Sequence, residues 1–402
     1  MTEPLAGLRI AVVHGADPED PRSYSGSPSH LIAALRGLGV SVHPVSAALP
    51  PAVGRGFAAA SVARWVLTGS GVRGRPYQRM MLAPLAVESC RAQGWVARRH
   101  LAAVGPLDGA VLVAGSELGP LAGLPYVTYD DMTVRQAARY PEWLISRLPA
   151  ADLHARAVLQ QRQFDQARAV CTNTWWARDS VVADYAIPAS RVRIVGFGGR
   201  VRRIAGSGAT TVRSTSAPRF LYVSRDWARK GGEVLLRAFA NVRATQPSAT
   251  LDLVGHHPPV DHPGVQPHGR LPLDDPAAQR RLDALFARTT CFVMPSAVEP
   301  SGLALVEAGN SGLPSIVGAT GGATEVIGGG GIAVPPGDHL ALAAAMIRLC
   351  DLDLAARLGE LARRHVRQLT WELTARRILA ALGWGAPMAD LPRVTPIAAS
   401  AP

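Results

Sequence analysis

The chain has 402 residues, of which 48% are hydrophobic and 18% charged, and its formal net charge at pH 7 is +12. This length exceeds that of one ordinary domain, so we expect two or three domains of a globular protein. No apolar run approaches the roughly 18 residues that a membrane span needs, and the N-terminus lacks the pattern of a signal peptide. The four cysteines are isolated in sequence, which excludes a disulfide framework. These features predict a cytoplasmic protein.

The positive charge favours acidic partners, such as nucleotides, nucleic acid or an anionic membrane face. Residues 51–100 hold eight arginines and one acidic residue, Glu88, interspersed with apolar residues. This pattern leaves two interpretations open, a solvated helix and a basic helix in peripheral contact with the inner face of a membrane. No basic motif with interleaved aromatic residues and no zinc signature is present, so we expect no nucleic-acid partner.

Short apolar runs typical of strands alternate along the chain with longer amphipathic patterns typical of helices. The first series of predicted strands covers residues 9–13, 40–45, 109–113, 126–129, 169–172 and 192–195. The second series covers residues 220–223, 251–254, 291–294, 315–317 and 332–334. Predicted helices between them include residues 31–38, 153–168, 232–244 and 277–287. Two such series predict an α/β fold of two Rossmann-like, doubly wound domains that face a central cleft, with ligands beyond the carboxyl ends of the strands.

The domain boundaries follow from composition. Residues 201–218 are rich in Gly, Ser, Thr and Ala, which is typical of a linker. We therefore expect a first domain over residues 1–200 and a second over 201–370. The Pro/Ala-rich residues 385–402 are expected to be a disordered tail.

One of the 42 basic residues is a lysine, Lys230, and it follows the predicted strand 220–223 closely. A lysine is a compact point charge on a flexible stem, whereas arginine is a planar fork, so the two are not equivalent at a tight anion site. Two interpretations remain open from this fact alone, an anion-binding role and chance.

Residues 295–308 hold the strongest pattern. The predicted strand 291–294 ends in a loop that bears Glu299, and a helix begins near Ser301-Gly302-Leu303. Free amides at the start of a helix bind anions, and glycine lets a ligand approach the backbone. Glu307 lies about one turn into this helix, where it is placed to accept hydrogen bonds from ligand hydroxyls. Two carboxylates that flank a phosphate-binding turn suit a nucleoside diphosphate sugar, and the paired Gly321 and Gly322 after the next strand add further backbone amides.

These residues resemble the retaining glycosyltransferases of family 4, which have the GT-B fold. The similarity covers residues 219–383 and includes Arg225 before Lys230-Gly231, Glu299 and Glu307 separated by seven residues, a Gly-x-Pro turn at 312–314, and a Gly-Gly turn before Glu325. Like members of that family, the chain has a Trp-Glu helix at about 371–384, which is expected to pack back on the first domain. The resemblance implies a first domain that binds the acceptor and a second domain that binds the nucleotide sugar.

The first half resembles the family more loosely. The stretch 24–28 is similar to the glycine loop near the donor phosphates, with Gly26 retained and Ser25 in place of the commoner first glycine. Asp130 stands where many relatives have a histidine that contacts the sugar. The resemblance leaves three interpretations of this position open: Asp130 takes that role, a nearby histidine takes it, or Asp130 merely caps a helix.

The resemblance implies transfer of a hexose from a UDP- or GDP-sugar to a hydroxyl acceptor, which is a glycan, a lipid-linked compound or a small molecule. The implied catalytic residues are Arg225, Lys230, Glu299 and Asp130, and the implied donor-binding residues are Gly26, Ser301, Gly302, Leu303, Glu307, Gly321 and Gly322. No cofactor and no metal are expected. Asp351-Leu352-Asp353 spells the Asp-x-Asp of metal-dependent glycosyltransferases, but its place between two predicted helices favours a helix cap.

Three alternatives remain open. A nucleotide-sugar epimerase of the same fold requires acid and base groups for elimination. A non-catalytic binding partner has no need of Arg225, Lys230, Glu299 and Glu307 together. A dinucleotide dehydrogenase requires a G-x-G-x-x-G after the first strand, which is missing; the glycines at 196–199 precede a loop.

Overall fold

The computed structural model describes residues 5–69, 76–115, 118–121, 123–200, 217–394 and 397–398. The chain divides into two compact units, and each is described by itself below. Unit 1 comprises Met1–Gly196 and Trp371–Leu391, and unit 2 comprises Phe197–Thr370 and Pro392–Pro402. Of the predicted linker at 201–218, all but the last two residues lie outside the described part of the chain.

Unit 1 is built on a six-stranded sheet in the order β2-β1-β3-β4-β5-β6, and every pair of neighbours in it is parallel. Strands β3 and β4 are buried along their whole length, as expected for a parallel sheet covered on both faces. The strands are β1 (Arg9–His14), β2 (Ser41–Ser46), β3 (Gly109–Val113), β4 (Tyr126–Asp130), β5 (Ala169–Thr172) and β6 (Val192–Ile194).

Helices cover this sheet. They are α1 (Ser27–Gly37), α2 (Pro51–Leu67), α3 (Pro76–Leu82), α4 (Val87–Val104), α5 (Val134–Ala137), α6 (Ala150–Gln166) and α7 (Trp175–Tyr185). The apolar residues of β1, β3 and β4 form a core with Ala97 and Leu101 of α4. This packing fixes the carboxyl ends of β1 and β4, where the loops described below begin.

Unit 2 is built on a seven-stranded sheet in the order β13-β12-β11-β10-β7-β8-β9, and its neighbouring strands are also parallel. Its strands are β7 (Arg219–Ser224), β8 (Thr250–Gly255), β9 (Val265–Gly269), β10 (Cys291–Met294), β11 (Ser315–Gly318), β12 (Gly331–Val334) and β13 (Ile397–Ala398). Its helices are α8 (Gly232–Thr245), α9 (Pro276–Arg288), α10 (Leu303–Asn310), α11 (Ala323–Ile327), α12 (His339–Arg348) and α13 (Leu352–Val366). The predicted class of two Rossmann-like, doubly wound domains is confirmed.

The last helix, α14 (Trp371–Leu382), belongs to unit 1 although it follows α13 in the chain. It packs against α1, where the ring of Trp371 stacks on the ring of His30 with centroids 5.6 Å apart. Thr374, Ala375, Ile378, Leu379 and Leu382 are its buried residues, and their spacing is that of one helix face.

The tail that follows α14 corrects the expectation of disorder over 385–402. Asp390 accepts hydrogen bonds from the Arg193 side chain at 2.9 Å and from the Ile194 amide at 3.1 Å, and Leu391 is buried. Ile397–Ala398 pairs with β12. The expectation was wrong for these residues because local composition does not show an ion pair with a residue almost 200 positions away. Residues 395–396 and 399–402 lie outside the described part of the chain.

Candidate functional site

Three loops of unit 2 start at the carboxyl ends of the neighbouring strands β7, β10 and β11. Backbone hydrogen bonds join them. The amide of Ala297 donates to the carbonyl of Arg229 at 2.8 Å, and the amide of Glu299 donates to the carbonyl of Thr320 at 3.1 Å. The loop that carries Glu299 is therefore held between the other two.

Lys230 and Glu299, both predicted from the sequence, meet where these loops converge. The ammonium of Lys230 donates a hydrogen bond to Oε2 of Glu299 and lies 3.3 Å from Sδ of Met294. Only 15% of the Lys230 side chain and 8% of the Glu299 side chain are exposed. An ammonium has three N–H donors, and Lys230 meets no further acceptor among the residues that the structure describes. One donor direction remains for a ligand.

The protonation of this pair follows from its surroundings. Burial favours a raised pKa of Glu299, but the positive charges of Lys230 and Arg229 outweigh it and hold that pKa below the usual range. Burial, together with Arg229, lowers the pKa of Lys230, while Glu299 opposes this effect. Glu299 is therefore an ionised carboxylate held between two cations.

The second cation, Arg229, was missed by the sequence analysis. Its Nη1 donates to the Val298 carbonyl at 3.1 Å and to Oε2 of Glu299 at 3.3 Å, and its Nε donates to Oδ2 of Asp226 at 3.0 Å. The only signal in the sequence was its position next to Lys230, and the family pattern pointed to Arg225 instead. The Arg225 side chain is exposed and makes no hydrogen bond or ion pair with the described residues, so its catalytic role stays a prediction.

The first turn of α10 lies beside this pair. Gly302 is the N-cap residue of the helix, with φ of +88°, and as a glycine it offers no side chain to cap the helix. Ser301 is buried, and Leu303 begins the eight-residue helix. The first amides of a helix have no partner within it, which makes this turn suitable for an anion. Glu307 follows about one turn later, as the sequence predicted, and is partly exposed.

Gly321 was expected to add a backbone amide to the phosphate site, and in the structure it also has a more specific role. It forms an isolated parallel bridge with Glu299, and its φ of +111° is one that side-chain-bearing residues rarely adopt. Gly322 follows as the first residue before α11. The Gly-Gly turn thus fixes the backbone of Glu299.

In unit 1, the predicted glycine loop follows β1 and opens α1. Tyr24, Ser25 and Gly26 have φ values of +46°, +58° and +83°, so all three are in the left-handed region. Only Gly26 adopts it without cost. A β-carbon on Gly26 would lie 3.0 Å from the ring of His30, whose Nδ1 donates to the Gly26 carbonyl at 2.6 Å. The loop is therefore tightly fixed at the position where the sequence places it.

Asp130 is the last residue of β4 and is 3% exposed. It is not the N-cap of the next helix, α5, because the side chain of Thr133 caps that helix. Burial, with the carboxylates of Asp131 and Asp130, raises the pKa of the Tyr24 hydroxyl well above its usual range. The ring of His14 lies 5.9 Å from that of Tyr24, so both His14 and His30 lie beside this loop.

Among the described residues no group of three or more His, Cys, Asp or Glu is arranged to hold a metal ion. Asp351 caps α13, since its Oδ1 accepts from the amides of Asp353 and Leu354 at 3.0 Å, and this confirms the helix-cap interpretation. Within the described part of the chain, each helix is too short or too polar to span a bilayer.

Comparison with known families places a match on the region of these loops. Residues 217–351 match the family described as "Glycosyl transferases group 1". This range contains Arg225, Lys230, Glu299, Glu307 and the Gly-Gly turn. The match therefore covers the loops described above and most of unit 2.

Individual proteins are similar to this chain over longer stretches. A D-inositol 3-phosphate glycosyltransferase of Corynebacterium kroppenstedtii is 28% identical over 249 residues, which is 56% of this chain and 55% of that protein. The chain thus spans little more than half the length of this curated relative. A sucrose-phosphate synthase from Thermosynechococcus elongatus has a TM-score of 0.63 at 19% identity, covering 92% of this chain and 96% of its own. A UDP-forming α,α-trehalose-phosphate synthase from Burkholderia xenovorans has a TM-score of 0.65 at 14% identity, covering 94% and 99%. These likenesses show the fold.

Proposed function

We propose that the protein is a retaining glycosyltransferase that moves a hexose from a nucleoside diphosphate sugar to a hydroxyl acceptor. The observation that carries this proposal is the buried Lys230–Glu299 pair beside the first turn of α10, which begins at a glycine N-cap. A cation with a spare donor, a helix N-terminus and an ionised carboxylate together suit a ligand with a diphosphate attached to a polyol.

The difficulty of this reaction is the negative charge that develops on the departing diphosphate. We propose that Lys230 neutralises this charge and that the amides near Gly302 and Leu303 donate hydrogen bonds to the phosphate oxygens. Arg225 is exposed, and we propose that it turns to the same phosphates when the donor binds. Charge-assisted hydrogen bonds of this kind contribute about 1.5–3 kcal/mol each.

The two glutamates have different tasks. We propose that Glu299, ionised and fixed by Gly321, contacts hydroxyls of the transferred sugar or stabilises its oxocarbenium-like centre. Glu307 is partly exposed on α10, and we assign it to the ribose hydroxyls of the donor. No residue is required as a covalent nucleophile if the acceptor attacks from the face of the leaving group, with a donor phosphate as base. This route retains the anomeric configuration.

Two positions in unit 1 have roles implied by the family resemblance. We propose that Asp130 contacts the transferred sugar, as the family resemblance implies, and that the Gly26 loop lies at the donor phosphates or the acceptor. The names of the relatives guide the choice of acceptors to be tried, and D-inositol 3-phosphate comes first. UDP-sugars come before GDP-sugars among donors, because one structural neighbour is named as UDP-forming.

A thermal-shift screen with UDP, GDP, dTDP and ADP, with and without magnesium, tests the donor site. A ligand at 100 times its dissociation constant should stabilise the protein by about 2.7 kcal/mol. We expect one nucleotide to raise the melting temperature without magnesium, and Lys230→Ala to abolish the shift. The matching nucleotide sugar is then offered with the acceptors, and the anomeric configuration of the product is read by NMR. No shift with any nucleotide would overturn the proposal, and an inverted product would overturn retention.

We also propose peripheral contact of unit 1 with an anionic membrane. Its arginine-rich helices expose large apolar side chains: Leu67 is 86% exposed, Met80 70% and Trp95 57%. The one acidic residue of this segment, Glu88, is paired with Arg64 at 3.0 Å. Exposed apolar groups on helices with a net positive charge favour an anionic lipid surface.

Flotation with vesicles tests this contact. We expect binding to phosphatidylglycerol vesicles at low salt, weaker binding after Trp95→Ala and Leu67→Ser, and no binding to phosphatidylcholine vesicles. Equal behaviour with both lipids would overturn the contact and leave the transferase proposal unaffected.

A further inference from the structure

If the proposed function holds, the ammonium of Lys230 has two anionic partners, Glu299 and the diphosphate of the donor. In the structure its ammonium is paired with Glu299. A diphosphate that binds at α10 competes for the same ammonium, because one positive charge is shared between two anions. A buried carboxylate that loses its counter-ion is strongly destabilised or takes up a proton. The carboxylate therefore needs another cation when the donor is bound.

Arg229 provides that cation from a fixed position. Its guanidinium is held by acceptors on two loops: Oδ2 of Asp226 at 3.0 Å, the Val298 carbonyl at 3.1 Å and Oε2 of Glu299 at 3.3 Å. Only 14% of its side chain is exposed. Its backbone is fixed as well, since its amide donates to Asp226 and its carbonyl accepts from Ala297.

The two cations differ in the freedom that this role requires. The planar fork of arginine is well suited to holding several acceptors at once, whereas the ammonium of lysine swings on a flexible stem. The contacts of Arg229 lie on the protein itself, while Lys230 has a donor to spare for a ligand. The geometry therefore separates a stationary cation from a mobile one.

We propose that Arg229 is a positioning residue that keeps Glu299 ionised and in place while Lys230 turns from Glu299 to the diphosphate of the donor. This inference rests on the proposed function and adds a residue that the family pattern does not include. It makes Arg229 act through Glu299, without contact with the donor.

A double-mutant cycle tests this role on the full chain. The variants are Arg229→Gln, Glu299→Gln and the two combined, and the probe is whichever of UDP and GDP gives the larger thermal shift. We expect Arg229→Gln to weaken nucleotide binding about tenfold and to lower kcat at least tenfold. In the Glu299→Gln background the same change should alter each value less than threefold, because no carboxylate is left to hold.

Two further variants serve as comparisons for Arg229→Gln. Arg229→Lys restores the charge without the fork and should recover part of kcat. Arg237→Gln removes an exposed arginine from α8 of the same unit and should change binding and kcat less than twofold. If Arg229→Gln does not fold, the comparison is made with Arg229→Lys in both backgrounds.

The outcomes separate the two proposals. Equal losses from Arg229→Gln in both backgrounds would overturn the positioning role, since Arg229 would then act on the donor or on the fold, and the proposed function would stand. A wild-type chain that binds neither nucleotide would remove the donor site itself, and the positioning role with it.

Discussion

The backbones of Glu299 and Gly321 are so close that a β-carbon on Gly321 would lie 2.1 Å from the carbonyl oxygen of Glu299. This contact joins two loops through the bridge between the two residues and through the Ala323 amide, which donates to the Glu299 carbonyl at 3.2 Å. The position of the carboxylate that pairs with Lys230 therefore depends on a glycine 22 residues further along the chain.

Gly321→Ala should consequently disturb both the fold and the site. The added methyl group meets a backbone oxygen that has no room to move, and the φ of +111° is strained for alanine. We expect the free energy of unfolding to fall by at least about 2 kcal/mol, and transferase activity to fall with it at temperatures where the variant is folded. Urea denaturation measures the first effect.

Gly329→Ala is the matched control. A β-carbon there would meet nothing within 4 Å, so its effect should stay within about 0.5 kcal/mol. Equal stabilities of the two variants would show that the contact between Glu299 and Gly321 has little energetic importance.

Lys230→Ala tests the central residue of the proposed site. The change removes the ammonium that would neutralise the leaving diphosphate but keeps Arg229 on Glu299. We expect kcat/KM to fall by about two orders of magnitude, or roughly 2.7 kcal/mol of transition-state stabilisation. Steady-state kinetics with the donor identified by the nucleotide screen provides the measurement.

Lys230→Arg adds a second comparison for the same position. The charge is retained, but a planar fork does not fit the compact space beside Met294 and Glu299, so we expect little recovery. Wild-type kcat/KM in Lys230→Ala would remove Lys230 from the mechanism.

Most of the fold was predictable because strands of parallel sheets are apolar on both faces. The runs that became β3, β5 and β10 were assigned with their observed bounds. Strand β9 was missed, because its sequence Val-Gln-Pro-His-Gly is polar and contains proline. An edge strand tolerates both, since one of its sides has no neighbour in the sheet.

The site was predictable only where a residue type is tied to a local pattern. Lys230, Glu299 and the start of α10 belong to short strand–loop–helix segments with characteristic residues. Arg229 has no such pattern, and its role depends on a contact with a residue 70 positions away. The order of the segment at Asp390 was not predicted for the same reason, because its partner Arg193 lies in another element.

Ser25 occupies a position where the family resemblance gives glycine, and its φ of +58° explains that preference. A residue with a side chain in the left-handed region costs roughly 1–2 kcal/mol. Replacement by glycine removes this cost, but the greater freedom of glycine in the unfolded chain offsets part of the stabilisation. We therefore expect Ser25→Gly to raise the free energy of unfolding by up to about 1 kcal/mol.

Ser27→Gly serves as the control, because Ser27 lies two residues away at the start of α1 with an ordinary helical φ of −57°. The change to glycine there should lower stability by roughly 0.5–1 kcal/mol. If the backbone of the loop is strained at Ser25, chemical denaturation should show changes in the free energy of unfolding of opposite sign for the two variants. If it is not strained, the two changes should have the same sign.

His365 on α13 should make the stability of the protein depend on pH. Its Nε2 donates to the Glu325 carbonyl at 2.8 Å, and its Nδ1 accepts from the side chain of Gln368 at 3.4 Å, so the ring is neutral. Burial lowers its pKa below the ordinary value of 6.5, against the opposing effect of the Glu325 carbonyl. His43 has a lowered pKa as well, through burial and Arg9.

The sign of the effect follows from proton binding. Between the lowered pKa in the folded state and 6.5 in the unfolded state, the unfolded chain binds more protons, so stability rises with pH in that window. We therefore expect stability to be lost as the pH falls through about 6.5, and the loss to stop below the folded pKa.

Urea denaturation between pH 5 and pH 8 measures this dependence. His365→Gln keeps a donor for the Glu325 carbonyl but does not titrate, so the pH dependence should be shallower than in the wild type. The difference between the two curves isolates His365, since His43 contributes equally to both. Identical curves would mean that His365 has the same proton affinity in the folded and unfolded states, which contradicts the buried, neutral ring.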